Sequence, residues 1–96
     1  MPDADAGCEI QFDDRAIRSI QAVKHAPSLS DWRSYSRLLG RVRRHPFAFG
    51  EPRFNQGSAQ GRVVVSGRWA IEYLARKRGC YLIVVQVVWL GRSRGG

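Results

Sequence analysis

The spacing of apolar residues changes repeatedly along the chain, and each change predicts an element. Glu9-Ile10-Gln11-Phe12 alternates polar and apolar residues, as a short half-buried strand does, and runs into the turn-forming pair Asp13-Asp14. Either aspartate can cap a helix whose apolar residues Ala16, Ile17, Ile20 and Val23 follow three- and four-residue steps. Pro27 stops that helix. A second helix is expected to begin at Ser30-Asp31, with Trp32, Tyr35, Leu39 and Val42 on one stripe. Gly40 weakens it and Pro46 ends it. Residues 46–61 are rich in Gly and Pro and read as a long connection. The remainder reads as sheet. Arg62-Val63-Val64-Val65 is a β-branched run closed by Ser66-Gly67, and Trp69, Ile71 and Tyr73 alternate with Arg68, Ala70 and Glu72. Tyr81 to Leu90 is apolar on both faces, as suits a strand inside a sheet. The predicted order is β-α-α-β-β-β. This is an α+β domain in which a small antiparallel sheet packs against a two-helix hairpin.

A chain of 96 residues has room for one core. Residues 1–8 are expected to be a flexible acidic lead, 9–93 the single folded domain and 94–96 a tail. The longest apolar run is about half of what a membrane-spanning helix needs. The opening MPDADAGCEI has neither a basic start nor an apolar signal core. The expectation is a cytoplasmic protein without a membrane partner.

Charge sharpens the picture. Lys and Arg total 16 against 8 Asp and Glu, for a net charge of +8. Residues 1–14 carry acids only, so the remainder is more basic than the average suggests, and a polyanionic partner is expected. Arg33, Arg37, Arg41 and Arg44 are spaced by four, four and three residues and fall on one helix face. Like charges at these spacings repel, and no acid after Asp31 interleaves with them. The stripe, with Arg53 in the following loop, therefore reads as a nucleic-acid-binding surface, and a merely solvated helix face is the competing reading. Phe47, Phe49 and Phe54 in the connection either stack on bases or a partner or pin the loop to the core.

Cys8 and Cys80 have no motif spacing, and His25 and His45 do not complete a zinc set with them. Both cysteines are expected to be small buried thiols, and neither a metal nor a cofactor is expected. Phosphate-loop and nucleophile-elbow motifs are missing. What remains is a set of arginines bracketing the strands (Arg62, Arg68 and Arg92) with Tyr73, His45 and Arg53 as possible proton handlers. Arginines can stabilise a pentavalent phosphoryl transition state by charge alone, and the same set fits plain phosphate binding.

Five segments, in order, resemble the RelE/ParE toxins of bacterial type II toxin–antitoxin systems. They are FDDRAIRSI, RVRRHPFAFGEP, GRVVVSG, WAIEY and VVQVVWLGR, and the resemblance covers about residues 9–93. It implies a growth-arresting toxin with a cognate acidic antitoxin. RelE-like members are metal-independent endoribonucleases that cut mRNA on the ribosome, and ParE-like members poison DNA gyrase instead. By this resemblance Arg62, Arg68, Tyr73 and Arg92 are the expected catalytic residues on a basic sheet face. Ala70 stands where RelE-like members often carry Arg, and Arg68 is the nearest substitute. The implied function is ribosome-associated mRNA cleavage, with gyrase inhibition or a non-catalytic nucleic-acid-binding module as alternatives.

Overall fold

A computed structural model describes residues 7–76 and 78–91. The elements are β1 (Glu9–Phe12), α1 (Asp14–Ala22), α2 (Leu29–Arg44), β2 (Glu51–Gln56), β3 (Ala59–Ser66), β4 (Trp69–Arg76) and β5 (Tyr81–Trp89). The α+β class and the order of elements agree with the sequence reading, and the sheet gains one strand. Its order is β1-β5-β4-β3-β2, antiparallel throughout except that β1 runs parallel to β5.

Local chemistry explains where the helices start. Asp13 Oδ1 accepts from the Ala16 amide at 3.0 Å and caps α1. Helix α2 starts at Leu29, one residue before Ser30, because Ser28 and Asp31 form a reciprocal capping box. It runs through Gly40 and ends at Arg44, just before Pro46.

The alternation along β4 puts Trp69, Ile71, Tyr73 and Ala75 on the helix side, in register with Val64 of β3 and Leu82, Val84 and Val87 of β5. Leu38 and Val42 of α2 and Ala16 of α1 close this core, with Trp32, Tyr35 and Leu39 at its margin. Trp32 and Tyr35 each lie 5.0 Å from the Trp69 ring, whose Nε1 donates to Asp31 O at 2.8 Å. Between Glu72 and Tyr73 the β4–β5 register shifts, and beyond β1 the Val87 amide is satisfied by Ser19 Oγ of α1 at 3.1 Å.

Two expectations are corrected here. The stretch 46–61 is not one long loop, since β2 forms within it and pairs with β3 across a Gly57-Ser58 turn. All six β2 residues are exposed at the sheet edge, so no buried face left an alternating pattern to read. The cysteines are also not separate thiols. Cys8 and Cys80 form a disulfide, with Cα atoms 4.5 Å apart. The parallel register aligns Glu9 with Tyr81, so the residues just before each strand sit side by side.

Candidate nucleic-acid interface

The sheet's second face carries Val63, Val65, Ala70, Leu74, Ile83 and Val88, together with Phe54 of β2. It is apolar and partly open, with Val65 62% exposed, and the charge near its centre is the acid Glu72. A shallow cavity at this face brings Glu72 near Arg15, Phe54 and Leu74.

Among the described residues, the basic sheet face expected from the sequence is not assembled. Arg62 points to the helix side and is 7% exposed. Its Nη2 donates to the carbonyls of Phe47 (3.1 Å), Phe49 (3.2 Å) and Gly50 (3.3 Å), and its Nη1 donates to Gln60 Oε1 at 2.5 Å. Tyr73, directly opposite Arg62, is fully buried; its hydroxyl donates to Pro46 O at 2.7 Å, with Phe49 O at 3.1 Å. Both side chains are committed to carbonyls of the segment joining α2 to β2. Arg68 lies in the β3–β4 turn, 3.8 Å from Asp31 at the start of α2. Arg92 lies outside the described residues. The sequence could not show which face Arg62 takes, because Arg62-Val63-Val64-Val65 has no alternation.

Burial pushes the Tyr73 hydroxyl up, and the Arg62 charge opposes this only in part. Tyr35 is pushed by burial from 10.0 up to about 12. A tyrosine whose folded value lies above its unfolded one contributes stability that is complete below the unfolded value. That contribution is lost as pH rises through the folded value. The expected result is a thermal midpoint that falls between pH 10 and 12, steeper in the native protein than in a Tyr35→Phe variant. Equal slopes in a pH series of melting curves would rule this out.

An unbroken exposed row of positive charge lies on α2. Arg33, Arg37, Arg41 and Arg44 are all exposed along one side of the helix, as their spacing predicts. Two shallow depressions lie along it, one against Leu29, Trp32, Arg33 and Arg37 and the next against Arg37, Gly40, Arg41 and Arg44. The stripe covers about 16 Å of helix. Arg43, between its last two members, turns away; its Nε donates to Cys8 O at 3.0 Å while the Cys8 amide donates to Arg43 O at 2.9 Å.

The stripe continues into an ordered turn. His45 caps α2, and its carbonyl accepts from the Ala48 amide at 3.0 Å. The Phe49 ring lies 6.2 Å from the His45 ring and 6.0 Å from the Arg41 guanidinium. Gly50 has φ +77°, and a Cβ there would collide with the Val63 carbonyl, so only glycine lets the turn meet β3 so closely. Arg53 is exposed on β2, at the register shift opposite Arg62. The predicted nucleic-acid residues are therefore accessible, and two of the predicted catalytic ones, Arg62 and Tyr73, are not. No helix among the described residues is long and apolar enough to cross a membrane.

No protein-family model and no curated protein sequence matches the chain. Its backbone does match solved structures. The archaeal RelE–RelB complex from Pyrococcus horikoshii contains a chain with TM-score 0.68 and 10% identity, over 90% of this chain and 98% of that one. The RelBE2 toxin–antitoxin complex from Mycobacterium tuberculosis gives TM-score 0.64 and 14% identity, over 86% and 98%. The isolated Escherichia coli RelE toxin gives 0.55 and 15%, over 92% and 89%. At such identities it is the fold alone that is shared. The chain has the RelE toxin fold.

Proposed function

We propose that this chain is the toxin of a toxin–antitoxin pair and that it acts on ribosome-associated mRNA. The carrying observation is the exposed arginine face of α2 on a RelE-type fold. Four cations with no interleaved acid repel one another, and a polyanion relieves that repulsion. Two of the similar structures are complexes with an antitoxin, which supports an acidic partner chain here, one that covers the α2 face and silences it.

Metal-independent cleavage of the bound mRNA is the finer part of the proposal. It requires positive charge around the scissile phosphate and a group that moves protons. Among accessible residues, Arg41, Arg44 and His45 at the end of α2 supply both, and Arg53 adds charge from β2.

Induction of the protein is expected to arrest growth and to create new 5′ ends within translated frames, read by primer extension. Charge reversal at Arg33 and Arg37 together is expected to abolish the arrest with an unchanged circular dichroism spectrum. In salt titrations, each lost phosphate contact should lower the slope of log K against log salt by about 0.7. Full arrest by the folded double variant would overturn the α2 assignment.

A second reading is favoured by the burial of Arg62 and Tyr73, which takes both off the accessible surface while the α2 arginines stay exposed. A gyrase-directed, non-nuclease toxin would use that hairpin. Arrest with intact mRNA would select it.

A further inference from the structure

Phe47 is 41% exposed, yet its carbonyl accepts from the buried Arg62 guanidinium at 3.1 Å. Carbonyls of the turn, those of Pro46, Phe47, Phe49 and Gly50, point inward to the buried Arg62 guanidinium and the Tyr73 hydroxyl. The Phe47 ring packs over the buried Arg62 guanidinium, 5.5 Å from it, and the residue keeps 41% of its surface open to solvent. It follows Arg44 by three residues, so it stands within about 11 Å of the end of the arginine stripe. Burying this ring in the core would have been the ordinary solution for a phenylalanine, and Phe49, two residues on, takes it in part. Instead the loop presents one aromatic surface to solvent beside a row of cations.

We infer that Phe47 is a base-stacking platform that gives the α2 surface a preference for single-stranded RNA over duplex RNA. The inference rests on the reading of α2 as an RNA-binding face and names the form of RNA that it takes. Successive phosphates lie along Arg37, Arg41 and Arg44, and the base beyond Arg44 stacks on Phe47. Every base offers a π face, so the contact is tolerant of sequence, but a base already paired and stacked in a duplex cannot reach the ring. Arg62 and Tyr73 act as positioning residues. They fix the turn before RNA arrives, so little ordering is left to be done on binding.

The test is fluorescence anisotropy of the purified chain with a labelled oligouridine and with a labelled blunt RNA duplex of equal length. Phe47→Leu keeps an apolar side chain and every main-chain contact, and a thermal melt checks its fold. It is expected to lose about 5- to 100-fold in affinity for oligouridine and to bind the duplex as the native chain does. Phe47→Trp is expected to keep oligouridine binding. Native-like oligouridine binding by Phe47→Leu, an equal loss on both RNAs, or a Phe47→Trp no better than Phe47→Leu would each overturn the stacking role. Charge reversal at Arg33 and Arg37 should weaken both RNAs alike. A native chain that binds neither RNA would overturn the α2 reading itself, and the stacking role with it.

Discussion

Arg62→Ala is expected to lower the stability of the folded chain by about 3 kcal/mol, because each buried acceptor left without its donor costs about 1–3 kcal/mol. The guanidinium serves three main-chain carbonyls and the Gln60 amide oxygen from a site that is 7% exposed. Removing it leaves the Phe47 and Gly50 carbonyls without their side-chain donor, and only Phe49 O keeps one, the Tyr73 hydroxyl. Arg62→Lys is expected to recover only part of the loss, because one ammonium group cannot span the same acceptors as a planar fork. The check is a urea unfolding series, read as a shift of midpoint. A catalytic arginine predicts the opposite pattern, with activity lost and stability kept. If Arg62→Ala unfolds at the native midpoint but no longer arrests growth, the structural assignment of Arg62 is wrong.

Opening the disulfide is the second large effect. Cys8 and Cys80 are 72 residues apart in sequence, and closing a loop of that size restricts the unfolded chain by about 4 kcal/mol in the chain-entropy model. Cys80→Ser is the cleaner variant because Cys80 is exposed, whereas Cys8 is 2% exposed and its replacement would also disturb packing. Native protein without reductant is expected to resist alkylation and to unfold at a higher urea concentration than Cys80→Ser or the reduced chain. Two free thiols in unreduced protein would show that the bond does not form. The bond also joins two tethers, since the Cys8 amide and carbonyl both bond to Arg43 at the end of α2. Reduction is therefore expected to loosen the end of the arginine helix first, visible as faster amide exchange at Arg43 and Arg44.

Much of the architecture could be read from the sequence because it is local. The β1 alternation, the Asp13 cap, the apolar stripe of α2 and the Trp69-Ile71-Tyr73 period are each set by neighbouring residues. Features that depend on distant partners were harder to see. Strand β2 has no buried face, so its pairing with β3 left no period to detect. The Cys8–Cys80 bond depends on the parallel β1–β5 register, which strand order alone does not specify. The α2 arginines were legible because a helix face follows from spacing. Arg62 was not, because its neighbours Val63, Val64 and Val65 fit either face of a strand, and only the inward carbonyls of residues 46–50 decide between them.

The place of β5 between β1 and β4 has a consequence for how the protein is made. The chain is synthesised from β1 onward, yet β1 pairs only with β5, the last of the five strands to emerge. The β2–β3–β4 meander consists of short-range pairings and can form while β5 is still being added. Until then β1 has no strand to join, and α1, whose Ser19 caps the Val87 amide, lacks the strand it packs on. Leu82, Val84 and Val87 complete the core in one late step, inserting between the first and fourth strands. The domain therefore stays incomplete until β5 is made, and its core closes only when β1 is captured by β5.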